Sequence, residues 1–251
     1  MIKRLLATAA SLAALLTVPF VFTANNEAKA AIRFLGKSIN KSDNLKTMEV
    51  KFLMQTTPNE NFDAIRDDGN MLEHTFTISF ENPHIWRLEK SGRTSLFDAV
   101  NSYSWLKQLG IGMMAPGIAE FFGDFEKFLD PQNLLRHEQQ LAKNDGSEIA
   151  MQETGSQIIL TIKSKAKGDF TNDYLKNSSI MASDNKRIYT FDKETKLLQA
   201  MLVQILYKNE YHTVFETTSI LYNIPVDREK LTERPVNKNG QRCMTHQIIR
   251  L

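Results

Sequence analysis

The residues best suited to chemistry in this 251-residue chain are five histidines and one cysteine, and their spacing supports no reaction. His74, His84, His137, His212 and His246 are scattered, with no His-x-x-x-His or Cys-x-x-Cys pair to hold a metal. No Gly-x-Ser-x-Gly elbow occurs, and Gly110-Ile111-Gly112 lacks the Lys-Ser/Thr of a phosphate loop. Asp67-Asp68-Gly69-Asn70 has the composition of a calcium loop, but no glutamate closes it at the required spacing, so it reads as a turn. Asp98 and Asp192 read as turn formers that bond their own backbone. Cys243, alone in the chain, cannot form an internal disulfide. The expectation is a protein that is not an enzyme and carries no metal or cofactor. An exported hydrolase with dispersed catalytic residues is the reading this leaves weakest.

With no chemistry to position, the elements themselves carry the information. Thr75 to Phe80 alternates polar and apolar residues with the period of a half-buried strand. Asn82-Pro83 breaks the run, because proline cannot donate to a sheet ladder. Ile85 to Glu89 resumes it, Ser91-Gly92 turns it, Thr94 to Phe97 starts another strand, and Asp98 to Ser102 turns again before Tyr103-Ser104-Trp105-Leu106. The pattern predicts a meander with one wet and one dry face. Upstream, Ile32 to Asn44 predicts an amphipathic helix, and Leu45 to Thr56 a strand with Met48, Val50, Phe52 and Met54 on one side. Downstream strands are expected at Gln157–Lys163, Lys186–Phe191, Leu197–Leu206 and Tyr211–Leu221, with turns at 192–195 and 208–210. Thr57 to Asn70 and Lys163 to Asn185 read as polar connections. The tail from Asn237 reads either as a last strand or as a disordered end.

Between the two sets of strands, Gly110 to Lys143 predicts a helical insert. Ile118, Phe121, Phe122, Phe125, Phe128 and Leu129 form one apolar stripe at helical spacing, preceded by Met113-Met114. Asp130 then caps a second helix that begins at Pro131 and carries Leu134, Leu135 and Leu141 inward. Two readings stay open for the stripe. It is an ordinary helix packed on a core, or, being built from large and adaptable side chains, the deformable wall of a lipid site.

Lys3-Arg4, the apolar run Leu5 to Phe22 and Ala28-Lys29-Ala30 have the order of a signal peptide, with cleavage expected before Ala31. An uncleaved anchor is the alternative, since about 18 apolar residues just span a bilayer. Removing Lys3, Arg4 and Lys29 against Glu27 brings the formal net charge from +2 to zero. A neutral surface argues against nucleic acid as a partner, which needs an excess of Lys and Arg on one face. The mature part is long enough for one domain with a full core, and nothing in it repeats.

The order strand, Asn-Pro, aromatic-Arg-Leu-Glu, turn, apolar strand, Asp at a turn and Tyr-x-Trp resembles the core of periplasmic lipoprotein carriers of the LolA type. In that family a strand leads into Arg-Pro-Asn-x-Phe-x-Trp. The resemblance is looser through Leu45–Gln55 and Ile188–Pro235 and covers about two thirds of the chain. It implies an α+β fold: an open antiparallel half-barrel sheet with a helical lid enclosing a hydrophobic cavity, spanning residues 31–235 between the signal peptide (1–30) and a C-terminal tail (236–251). Pro83 then takes the place of the family proline, Trp86 that of its cavity phenylalanine and Leu88 that of its tryptophan. Asn82 stands where the family has the arginine that ties lid to barrel, which puts gating and hand-off to a receptor in doubt. The expected lipid-binding residues are Trp86, Leu88, Met113, Met114, Ile118, Phe121, Phe122, Phe125 and Phe128. The expected function is a monomeric, soluble periplasmic carrier of lipid or lipoprotein acyl chains, served by membrane-bound donor and acceptor proteins. A periplasmic sensor using the same half-barrel to bind a partner is the alternative.

Overall fold

The computed structural model describes residues 26–55, 71–81, 84–90, 92–117, 130–144, 148–164, 184–207 and 209–247. Twelve strands form one sheet: β1 (Thr47–Gln55), β2 (Met71–Ser79), β3 (Ile85–Lys90), β4 (Arg93–Phe97), β5 (Asn101–Leu106), β6 (Ile111–Pro116), β7 (Glu148–Thr154), β8 (Gln157–Ser164), β9 (Asn185–Asp192), β10 (Leu198–Tyr207), β11 (Glu210–Tyr222) and β12 (Met244–Gln247). Their spatial order is β12-β6-β5-β4-β3-β2-β1-β11-β10-β9-β8-β7, so two meanders meet where β1 pairs with β11. Every pairing is antiparallel except β12 on β6. The fold is α+β, a large open antiparallel sheet with few helices.

Two helices lie on one face, here the inner face. Helix α1 (Asn26–Ser42) and helix α2 (Pro131–Asn144) pack on each other, and α1 also meets β7. Helix α1 turns Ala31, Phe34, Leu35 and Ile39 into the core, at the three- and four-residue spacing that makes one helical stripe. Phe34 meets Phe191 of β9 edge to face at 5.0 Å. Helix α2 starts as its sequence requires. Asp130 accepts the amide of Leu134 on its carbonyl, Pro131 fills the first turn, where no amide is needed, and Leu134 and Leu135 face inward.

The turns follow their residues. The Asp98 carboxylate accepts the amides of Val100 and Asn101, and Asp192 accepts those of Glu194 and Thr195. Gly92 and Asn209 take positive φ at two hairpin bends. The expected apolar side of β1 holds, with Met48, Val50 and Phe52 buried.

Four expectations need correction. The insert after Gly110 does not begin as a helix: residues 111–116 are strand β6, paired on both edges. Gly110 at φ +68 makes the bend, and Gly112 lets the strand lie against Trp105, whose Cδ1 is 2.1 Å from where a Cβ would stand. Strand β7 went unread because Glu148-Ile-Ala-Met-Gln-Glu-Thr alternates weakly. Residue Asn101 already belongs to β5, which shortens the turn after Asp98. Lastly, the outer face of the central meander is wet only in part, with Glu73 of β2 exposed while its β4–β5 end is covered. Residues 228–247, opening with helix α3 (Arg228–Thr232), cover the outer face of β3–β6 and bury Leu96, Trp105 and Cys243 there. The tail thus contributes a strand, β12, to the same sheet. The connections at 57–70 and 165–183, the segment 1–25, the Phe stripe and Asn82-Pro83 lie outside the described residues.

Candidate functional site: the inner face of the sheet

Registers between neighbouring strands place inner-face residues in rows that cross the sheet. One row runs Tyr222, Met48, Ile78, Trp86, Phe97, Ser102 and Ala115, from β11 to β6. The next runs Ile220, Val50, Phe76, Leu88, Ser95, Ser104 and Met113. Both are apolar from β11 through β3, and both reach serine by β5. A third row pairs Lys90 with Arg93, Arg93 with Leu106 and Leu106 with Ile111, and it ends at Met244 on β12. The pleat also puts His74 on this face, since it pairs with Phe52 and lies two residues from Phe76.

The polar groups of this half are unevenly satisfied. Ser102 donates to the Gly117 carbonyl at 2.6 Å, and Arg93 donates Nε–H to the Ser104 hydroxyl at 2.8 Å. Ser95, fully buried, finds no hydrogen-bond partner for its hydroxyl among the described residues. Neither ring nitrogen of His74, only 2% exposed, finds one either. Its ring lies 5.2 Å from that of Phe52. Burial, with a smaller contribution from the Lys90 charge, lowers the His74 pKa to about 4, so the imidazole is neutral near pH 7. A buried polar group without a partner costs about 1–3 kcal/mol.

The other half of the inner face is closed. Under α2, Arg187 of β9 and Glu138 form a two-pronged ion pair, Nε to Oε1 at 2.5 Å and Nη2 to Oε2 at 2.9 Å, both side chains 0% exposed. Tyr189 donates its hydroxyl to the same carboxylate, and Arg187 also reaches Asn185 and, at 3.0 Å, Ser164. Every partner that the charge needs is present, which makes this a structural tie between helix and sheet. Sequence reading missed it, although both halves left a signal. Arg187 holds the buried parity of β9 with Tyr189 and Phe191, and Glu138 lies four residues beyond Leu134 on the apolar stripe of α2.

The outer face carries the second small core. Tyr103 stacks on Trp105 at 5.1 Å, and Trp105 Nε1 donates to Thr245 at 2.9 Å. A cavity of about 480 Å³ opens beside them, lined by Leu96, Asp98, Met114, Thr232, Arg234 and Gln247 among others. Its acid is already spent, because Asp98 accepts Tyr103 at 2.8 Å as well as two amides. Nearby, burial pushes the Glu89 carboxyl up. Arg87, Thr94 and Lys107 outweigh it and hold the group below its ordinary value.

Of the expected lipid-binding residues, the structure brings Trp86 and Leu88 together on the inner face, in the main core with Phe76. It separates Met113 from Met114. Neighbouring residues of a strand point to opposite faces, so Met113 lies in an inner row while Met114 lines the outer cavity. Ile118, Phe121, Phe122, Phe125 and Phe128 lie outside the described residues. Sequence reading missed His74, Arg93, Ser95 and Ser104. His74 shares the parity of Phe76 and Ile78, the one hint available. Among the described residues no cluster of three or more His, Cys, Asp or Glu forms a metal site, and no helix is long and apolar enough to cross a membrane.

No family model matches the chain, and no curated protein matches it. Solved structures do align with it. An uncharacterized conserved protein from Thermus thermophilus aligns at 7% identity and TM-score 0.46, covering 87% of this chain and 99% of that one. LprF from Mycobacterium bovis aligns at 10% identity and TM-score 0.46, covering 79% and 95%. The Mycobacterium tuberculosis lipoprotein LppX aligns at 10% identity and TM-score 0.43, covering 79% and 98%. The likeness to the lipoprotein carriers stays a resemblance of pattern.

Proposed function

We propose that this protein binds acyl chains of lipids or lipoproteins on the inner face of its sheet, and acts in the periplasm as a carrier toward the outer membrane. The observation that supports this reading is the apolar wall from β11 to β3, in which Val50, Phe76 and Leu88 share one row and Met48, Ile78 and Trp86 the next. Three strand spacings from β3 to β11 give about 14 Å of such wall. Exposing a methylene to water costs about 0.8 kcal/mol, so roughly ten held on this wall offset about 8 kcal/mol, the term that keeps an acyl chain out of an aqueous compartment. An open sheet with helices on one face suits a ligand that must enter and leave.

One feature favours a role for a partner as well. Leu106, Ile111 and Met244 lie in register on β5, β6 and β12, all exposed, with Met113 beside them. This apolar strip runs from the inner face to the sheet edge at β12, where a donor or acceptor protein would receive cargo. A sensor that binds a partner there is the second reading. Mass spectrometry of small molecules extracted from the purified protein tests the first. Stoichiometric acyl lipid supports it, and a ligand-free protein that takes up no fatty acid on titration overturns it.

A further inference from the structure

We propose that the cargo is an anionic amphiphile whose carboxylate or phosphate head is held by Arg93, Ser104 and Ser95, with its chain laid along Leu88, Phe76 and Val50. This rests on the acyl-binding reading above and names the ligand class within it.

The register carries the argument. Along one inner row the residues change from Ser104 and Ser95 on β5 and β4 to Leu88, Phe76 and Val50 on β3, β2 and β1. The wall is itself amphipathic along a line. Among the described residues the inner rows crossing β1–β6 contain no aspartate or glutamate, and Arg93 faces inward at their polar end. Arg93 uses only Nε, for Ser104, and its two Nη groups make no hydrogen bond or ion pair among the described residues. A guanidinium in that state offers the flat double donor that matches a carboxylate or phosphate.

Two further groups point the same way. Among the described residues, the Ser95 hydroxyl, buried beside Ser104, has nothing to bond, and His74, buried nearby, has both ring nitrogens unbonded. On the closed half of the same face, every buried polar group of the Glu138–Arg187 cluster is partnered. An orphaned hydroxyl beside a half-used guanidinium fits a ligand oxygen that completes both. His74, as a neutral imidazole, has one donor and one acceptor left for an ester or hydroxyl of the same head.

The test compares one chain under different heads. Oleate, oleoyl lysophosphatidic acid, oleyl alcohol and methyl oleate are titrated into the full protein and into Arg93→Gln and Ser95→Ala variants. The expected result is that one or both anions bind at least tenfold tighter than the two uncharged compounds. Which anion binds tighter identifies the carboxylate or the phosphate source. Arg93→Gln should abolish the difference by weakening the anions at least tenfold, not by tightening the uncharged compounds. Ser95→Ala should reduce it severalfold without lowering the thermal midpoint, because the hydroxyl removed had no protein partner. Equal binding of all four would overturn the head site and leave the acyl-binding reading standing. So would an anion preference that survives both substitutions. Binding of none would overturn both.

Discussion

The two halves of the inner face treat buried polarity in opposite ways. Under α2, Arg187 meets Glu138, Asn185 and Ser164, and Tyr189 donates its hydroxyl to the same Glu138 carboxylate, so the buried pair is fully bonded. Across β2–β5, Ser95 and His74 are as deeply buried and have no hydrogen-bond partner among the described residues, and Arg93 uses one donor there. A protein that only needed a core would fill the second half as it fills the first. Buried groups that are fully bonded hold helix to sheet. The proposed cargo would supply the atoms missing at Ser95, His74 and Arg93.

The sharpest way to break this contrast is to remove one member of the closed cluster. Arg187→Ala or Glu138→Ala leaves a buried charge unpaired and should cost about 3–5 kcal/mol, read as a fall in the urea midpoint. Replacing both with leucine and methionine should recover most of that loss. A single variant as stable as the parent would show that α2 is not tied to β9 in solution.

A smaller loss is expected on the outer face. Gly112→Ala puts a Cβ against the Trp105 ring and the Ser104 carbonyl, and should cost about 1–3 kcal/mol through forced repacking. Because this pushes from the face opposite the proposed cargo, lipid affinity at 25 °C should stay within twofold. A large change in affinity would mean that the two faces are coupled.

Acid provides the next comparison. An unfolded His74 takes up a proton near pH 6.5, and the folded one only near pH 4. Stability present above pH 6.5 is therefore lost as the pH falls through that window. His74→Phe should flatten this part of the profile. Glu89 is held below its ordinary 4.5 on the outer face, so its contribution is lost only below that value. Burial also lowers His84, which adds a slope of the same sign, so a His74→Phe profile as steep as the parent's would assign the titration to another group.

Much of this fold was legible in the sequence, and the failures have physical causes. Asp98, Asp192 and Asp130-Pro131 act within a few residues of themselves, so local chemistry sufficed to read them. The alternation of Met48, Val50 and Phe52 named a buried side. It could not say which residues lie opposite, since a row from Ser104 to Val50 is fixed only once four registers are known. Strand β6 was hidden because Ile-Gly-Met-Met-Ala-Pro has neither the β-branched content nor the alternation of a strand. The wet face assigned to the meander holds at β2 and fails at β4–β5 for a different reason. Its cover comes from Leu231 and Cys243, more than a hundred residues downstream. Glu138 and Arg187 were visible as charges at apolar positions, but their meeting across 49 residues was not.

The two tryptophans give the most direct test of where cargo lies. Trp86 is on the inner face against Phe76, and Trp105 is on the outer face against Tyr103. Single-tryptophan proteins, Trp105→Phe and Trp86→Phe, are titrated with a fatty acid brominated along its chain, which quenches indole emission at contact. Strong, saturable quenching of Trp86 is expected, with little change in Trp105. Quenching of Trp105 with Trp86 untouched would put the chain in the outer cavity and contradict the inner-face site.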